Sequence, residues 1–464
     1  MTTSQVLGPI AHTRAELVAL DHAHLLHPQH HPADHLNPQI WVSGKGATIT
    51  DIEGRTYIDG LSGMWNVNLG HGRRELVEAA TAQLSTLAFA TGYAGSSTVP
   101  AIELAERLRE VVYPSIEAFY FTSGGGDATD TSIRTARYFF RATGRPEKTK
   151  VIALRLSYHG STVAASSATG VDEFSSVFGP RLPGFVHIPS PYPYRFEGPA
   201  GVPAGEAAAN LLEQAILEEG AQTVAAFIAE PVQGGGGGVI VPPEGYFQRI
   251  REICDRHDVL FISDDVITGF GRTGRWFGLE HWGVEPDIVQ FAKGVTSGYI
   301  PLGGVGVSAR IKSVLDAAPS ARRWWHGYTY SGHPVACAVA LANIRVIQEE
   351  ELVSRVEILG RRLRAGLTAG VGEHPNVGEV RGIGLLAGIE LVADRETKEG
   401  FPADAQVPRR LRAALRERGL VTRVLDNAIC LAPPFVTTED QVDRIVEIVT
   451  EAARAVFDRP ATPA

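Results

Sequence analysis

Between residues 118 and 294 the chain alternates short apolar runs with segments whose apolar residues recur at three and four positions. The runs at 118–122, 150–156, 224–229, 259–266 and 287–294 are rich in β-branched and aromatic residues and lack strict alternation. That pattern suits strands covered on both faces, as in a parallel sheet. Helical spacing fills the intervals at 127–141, 205–219 and 246–257, so this region predicts a mostly parallel sheet wrapped by helices.

Upstream, residues 47–60 read as a hairpin of two alternating strands around Glu53-Gly54, followed by a loop holding Trp65. Helices are predicted from Glu75 to about Ala90 and from Thr98 to Val112, with Pro100 near the second start, where its missing N–H costs least. Beyond residue 330, helical patterns over 334–351, 352–368, 406–418 and 438–456 alternate with short strands near 384–391 and 428–431. The expected fold class is α/β. Residues 76–328 form a large domain, 1–75 an N-terminal arm and part of a smaller α+β domain, and 329–464 the rest of that small domain.

Composition narrows the partners. A chain of 464 residues is too long for one simple core, and 44% hydrophobic with 20% charged residues is ordinary for a globular protein. A formal net charge of −9 argues against nucleic acid, since a phosphate-binding surface leaves a basic excess. Cys254, Cys337 and Cys430 are too scattered for a disulfide framework or metal cluster, which points to a reducing compartment. No run approaches the ~18 apolar residues of a bilayer span, and the first residues show no signal-peptide pattern; a cytoplasmic protein without membrane contact is expected. The histidines at 22, 24, 27, 30, 31 and 35 repeat no metal-ligand spacing and read as a surface arm.

Chemistry enters at the strand ends. In open α/β sheets, ligands bind beyond the carboxyl ends of the strands, and there the chain places Glu230, Asp264, Asp265 and Lys293. Lys45, Lys148, Lys150, Lys293, Lys312 and Lys398 are all its lysines, and only Lys293 closes an apolar strand. Viewed alone, it reads first as a lysine whose head reaches water; desolvated, it becomes a candidate for a Schiff base. The strand at 118–122 runs into Ser123-Gly-Gly-Gly-Asp127 and a helix start, where free N–H groups hold phosphate well. The strand at 150–156 ends in Ser157-Tyr158-His159-Gly160, which offers an aromatic face. One ligand uses all of these: a flat cationic ring bearing an aldehyde and a phosphate, namely pyridoxal 5′-phosphate. Lys293 would take the aldehyde, Asp264 the protonated ring nitrogen, Tyr158 the ring face, and Gly125 and Gly126 the phosphate.

The residues that carry this pattern resemble the class III aminotransferases of the fold-type-I pyridoxal-phosphate superfamily. The resemblance runs from about residue 40 to 456 and is most like the ω-amino acid or amine:pyruvate transaminases. Its most specific pieces are Tyr158-His-Gly-Ser-Thr, Glu230-Pro-Val-Gln-Gly, the stretch from Asp264 to Gly274, Ala292-Lys-Gly294 and the stretch from His326 to Pro334. The resemblance implies that Lys293 is the Schiff-base and proton-moving lysine and that Asp264 partners the ring nitrogen. It further implies Val266 on the ring face opposite Tyr158, and Glu230 as a hydrogen-bonding support. Thr329 would reach the phosphate of a neighbouring subunit, in a homodimer or dimer of dimers. Trp65 would be an aromatic wall of the substrate pocket and Arg423 a mobile clamp for the substrate carboxylate. The implied activity moves an amino group from an ω-amino acid or amine to a keto acid such as pyruvate, without a metal.

Two motifs depart from the family pattern. Gly124-Gly-Gly126 stands where Ser-Gly-Ser is usual, so a hydroxyl donor is missing, and Asp265 stands where a glutamate is usual. The run Gly234 to Gly238 reads as a flexible loop. The other readings are an aminomutase or decarboxylase on the same fold, revealed by carbon dioxide release or single-substrate isomerisation, and a non-catalytic binding protein, revealed by a missing cofactor absorption band. A metal hydrolase built on Asp264, Asp265 and the histidines is the remaining one, settled by metal analysis.

Overall fold

The computed structural model describes residues 12–458. Its strands, in chain order, are β1 (Trp41–Lys45), β2 (Thr48–Asp51), β3 (Thr56–Asp59), β4 (Ile116–Thr122), β5 (Lys150–Leu154), β6 (Phe185–Ile188), β7 (Val224–Ala229) and β8 (Leu260–Asp264). There follow β9 (Ile288–Phe291), β10 (Gly303–Ser308), β11 (Val377–Ile383), β12 (Leu386–Leu391), β13 (Leu420–Val421), β14 (Arg423–Val424) and β15 (Ala428–Leu431).

Seven strands form the central sheet in the order β4-β10-β9-β8-β7-β5-β6. β5 through β9 run parallel, as their apolar runs predict, and every residue of β7, β8 and β9 is buried. The chain passes from β4 across the sheet to β5 and the edge strand β6 and then returns through β7, β8 and β9, whose ends lie side by side beyond the sheet.

β10 differs from the sequence expectation: it is an additional strand, antiparallel to both β4 and β9. Its Gly-Gly-Val-Gly run hides the usual strand signal, because the neighbours leave no room for side chains. A methyl on Gly306 would lie 2.6 Å from Ile116 Cγ2, and one on Gly304 would overlap the Phe291 ring. β6, also without a strong apolar run, adds the opposite edge.

Helices cover this sheet, among them Gly125–Ala142, Ala204–Glu219 and Tyr246–Arg256. Near the C-terminus, β11-β12-β15-β14 form a second sheet packed with the helices Leu352–Val371, Val407–Glu417 and Glu439–Phe457. Where the sequence shows one strand at 384–391, the chain forms a hairpin that turns at Gly384 and Leu385. The hairpin at 48–59 lies in a third sheet, β1-β2-β3-β13, in which Leu420 pairs with Ile58 and joins the two ends of the chain.

His22 and His24 lie in a helix, Arg14–His24, that buries no residue and starts on a Thr13–Glu16 capping box, and the other four histidines follow it. His27 and His35 stack at 3.7 Å, and among the described residues no cluster of histidine, cysteine or carboxylate is arranged to hold a metal. No described helix is long and apolar enough to cross a membrane.

Candidate active site

The register of the central sheet brings the strand-end residues together. Ala229 pairs with Ser263 and Asp264 with Gln290, so Glu230, Asp264 and Lys293 leave neighbouring parallel strands at one edge. They line a cavity of about 220 Å³ with Gly125, Gly126, Tyr158, Gly160, Ser161 and Val266. Eight residues expected near the cofactor thus reduce to seven on one wall: Gly125, Gly126, Tyr158, Glu230, Asp264, Val266 and Lys293, with Thr329 apart.

Gly124 is extended and no side chain caps the helix that begins at Gly125. The leading N–H groups of that helix therefore remain available to an anion. A methyl on Gly125 would come within 3.3 Å of Val266, which explains its small size, whereas Gly126 has ordinary van der Waals room, 3.5 Å from Thr162 Cγ2. Gly160 is held at φ +133 and packs on Gly126: a methyl there would lie 2.7 Å from Gly126 Cα.

Asp264 is 3% exposed and accepts from His159 Nδ1 at 2.6 Å and from the Val266 N–H at 3.1 Å. The sequence pattern gives His159 no task of its own; its one signal is its place beside Tyr158 at a strand end. Its Nε2 is buried without a hydrogen-bond partner.

Glu230 is buried and accepts from the N–H groups of Tyr158 at 2.9 Å and Gly234 at 3.0 Å. Burial pushes its carboxyl up to about 7, the charge of Asp264 adding to the effect while His159 and the two N–H groups oppose it. Burial draws the Lys293 ammonium down to about 8, against the attraction of Asp264 and Glu230 and with some help from Arg423. Lys293 also has φ +46, in the left-handed region that costs a non-glycine residue free energy and marks strain at functional sites.

Asp265, the shortened second carboxylate, faces away from this chemistry. It accepts from Tyr113 at 2.9 Å, Ser263 at 2.6 Å, Thr268 at 2.6 Å and the Gly278 N–H at 2.7 Å. With four donors it is a buried structural anchor, although burial raises its pKa.

Of the residues expected at the substrate, Trp65, Tyr158 and Arg423, Tyr158 lines the cavity, whereas Trp65 and Arg423 lie outside its wall. Trp65, 2% exposed and at φ +66, belongs to a buried cluster with Val232, Ala428, Cys430 and the cavity residue Ile267; its indole N–H has no partner. Met64 beside it is exposed, and its sulfur lies 3.9 Å from an Arg423 nitrogen. Thr329 is exposed, in a segment whose Tyr328 hydroxyl approaches the Asp127 carbonyl at 3.5 Å.

The family model "Aminotransferase class-III" matches residues 30–453. The chain is 40% identical over 424 residues to the putrescine–pyruvate aminotransferase of Pseudomonas aeruginosa, covering 91% of each protein. It is 38% identical over 457 residues to the diaminobutyrate–2-oxoglutarate transaminase of Halomonas elongata, covering 96% and 97%. Among solved structures it resembles a thermostable (S)-enantioselective ω-transaminase from Thermomicrobium roseum, with a TM-score of 0.93 and 46% identity over 96% of this chain and all of that one. It also resembles the ω-transaminase of Pseudomonas jessenii in complex with PMP, with a TM-score of 0.91 and 39% identity over 95% and 98%. The chain belongs to the class III aminotransferases; it is a fold-type-I transferase that uses pyridoxal phosphate.

Proposed function

We propose that this class III aminotransferase moves the amino group of an ω-amino acid, diamine or simple amine to pyruvate or a similar keto acid, with Lys293 at the centre of the reaction. The observation that carries the assignment of residues is the meeting of Lys293, Asp264 and the uncapped helix start at Gly125 in one cavity. This donor set fits pyridoxal phosphate: a buried carboxylate for the ring nitrogen, free N–H groups for the phosphate, and an amine with lowered proton affinity. Bound there, the cofactor supplies a carbonyl that accepts the donor's amino group and a cationic ring that draws electron density from the adjacent carbon.

The chain's own groups do the rest. Asp264, steadied by His159, would face the protonated ring nitrogen, and the low-polarity surroundings would strengthen that attraction. Tyr158 and Val266 both line the cavity and would enclose the ring from its two faces. The Lys293 amine, near neutrality in proton affinity, takes a proton from one carbon and returns it to another. Glu230 accepts or donates beside the ring according to its protonation. Arg423, which lies beside Met64, binds the carboxylate of keto acids and ω-amino acids. Trp65 backs the substrate side of the cavity through Ile267.

The assembly read here is a cytoplasmic homodimer or dimer of dimers in which Thr329 serves the partner's phosphate site. Exposure of Leu87, Phe89, Tyr93, Trp325 and Tyr330 supports it, because aromatic patches of this kind suit a second copy of the chain. The division at residues 75 and 328 into arm, large domain and small domain belongs to the same proposal. A donor panel of β-alanine, γ-aminobutyrate, putrescine, taurine and a simple amine, with pyruvate as acceptor, tests the substrate class. Alanine formed from at least one is expected; alanine from none, with carbon dioxide or an isomer released instead, overturns it.

A further inference from the structure

The five glycines at 234–238 are a tied segment, not a flexible loop. Gln233 and Ile240 pair across its base, and the Gly238 N–H reaches the Gly234 carbonyl at 3.1 Å. A methyl on Gly236 would lie 2.5 Å from Val171 Cγ2 and 2.7 Å from the Leu156 carbonyl oxygen. Gly238 sits at φ +71, and a methyl there would lie 2.6 Å from Ala428 Cβ. The absence of side chains lets other parts of the chain close on this backbone.

Its far side is held by one residue from β11. Arg381, 8% exposed, donates from Nε to the carbonyls of Gly238 at 3.0 Å and Val239 at 3.1 Å, and from Nη2 to Gly238 at 2.7 Å. Its remaining nitrogen, Nη1, donates to Glu390 at 2.8 Å and Glu379 at 3.0 Å. Glu390 is wholly buried and also accepts from Arg195 at 2.7 Å and from the Tyr192 hydroxyl. The Arg381 guanidinium lies 4.9 Å from the centre of the Tyr192 ring. Every arm of the guanidinium is thus used, in a geometry that a lysine cannot reproduce.

The near side of the same segment meets the cavity. The Gly234 N–H is one of two backbone donors to Glu230, and a methyl on Gly235 would lie 3.8 Å from Tyr158 Cβ. We propose that Arg381 is a positioning residue for the cofactor site: by locking the 234–238 segment it fixes Glu230 and the Tyr158 ring. The proposal rests on the reading of Glu230 and Tyr158 as groups that face the cofactor.

Arg381 acts at a distance, so a slack segment has two consequences. Glu230 loses a donor that favours its charged form, and the carboxyl, already near neutrality, moves further up. The Tyr158 ring loses the backbone on which it rests. Both weaken retention of pyridoxal phosphate, and the first makes that retention depend on pH in a new range.

The test uses Arg381→Lys, which keeps a charge beside Glu390 but not the three-way grip on carbonyls. Gly236→Ala displaces the same segment from the opposite side. The readouts are the dissociation constant of pyridoxal phosphate from pH 6 to 9 by equilibrium dialysis, amide exchange at 234–239 and the melting temperature of the cofactor-free protein. In Arg381→Lys we expect about tenfold weaker binding at neutral pH, a midpoint shifted to higher pH and faster exchange in the segment. Gly236→Ala should reproduce these, and the double variant should be less than additive. Glu230→Gln separates the levels. If that variant binds the cofactor as the parent does at every pH, the reading of Glu230 and this proposal fall together. If Glu230→Gln alters binding while Arg381→Lys and Gly236→Ala only lower the melting temperature, Arg381 is structural and the proposal alone falls.

Discussion

His159 Nδ1 and Asp264 Oδ2 lie 2.6 Å apart, and each residue is only 3% exposed. A charge-assisted bond in such surroundings fixes the carboxylate's direction. His159→Leu should leave Asp264 with the Val266 N–H as its remaining partner, at a cost of about 1.5–3 kcal/mol. Cofactor affinity and turnover should fall about ten- to hundredfold together, measured by dialysis and steady-state kinetics. A change in melting temperature without either loss would count against the pair's role.

On the proposed reading Lys293 supplies both the amine that bonds the cofactor and the proton carrier, so Lys293→Ala should abolish turnover, yet cofactor should still bind through Asp264 and the helix start at Gly125. The proton affinity of Lys293 adds a pH signature. Its folded pKa of about 8 lies below the ordinary 10.5, so the folded state binds this proton less readily than the unfolded state. Stability from this group is therefore fully present above about pH 10.5 and is lost as pH falls through about 8. The cofactor-free parent should gain stability relative to Lys293→Ala between pH 8 and 10, read by thermal denaturation; parallel curves would contradict the shift.

Arg423→Ala should impair pyruvate and ω-amino acids more than amines without a carboxylate, by about tenfold or more in kcat/KM. Equal losses for both classes would show that Arg423 is not the clamp. The Lys293 amine should also rise slightly in proton affinity, since Arg423 now lowers it.

Gly126→Ser should tighten cofactor retention. The backbone at Gly126 is not left-handed and the nearest atom to a methyl there is 3.5 Å away, so the strain that could oppose a serine is absent. One more hydroxyl toward the phosphate contributes about 1–2 kcal/mol, or about five- to thirtyfold slower loss on dilution. Faster loss in the serine variant would disprove the missing-donor idea.

Thr329→Val should weaken cofactor retention only where two chains share their sites. Sedimentation should show a dimer as the smallest active form, and mixing Lys293→Ala chains with Thr329→Val chains should restore one intact site per mixed dimer. A fully active monomer would overturn the assignment of Thr329.

The sequence by itself determined the alternation of strands and helices, the mostly parallel sheet, and the strand ends that carry Glu230, Asp264 and Lys293, because buried strands impose long apolar runs that end abruptly at the site. It also determined the family, through motifs that follow in order from Tyr158 to Pro334. Tertiary structure decided what depends on contacts between distant segments. The strand at 303–308 is glycine-rich because Ile116 and Phe291 occupy its side-chain space. Asp265 is an anchor because Tyr113 and Gly278, distant in sequence, turn donors toward it. His159 acquires its task only when β5 and β8 place it against Asp264. Gly234 to Gly238, which reads as slack by composition, is held because Arg381 arrives from β11 with donors for its carbonyls. Local pattern encodes burial along an element; pairing across elements is a property of distances that a linear sequence does not contain.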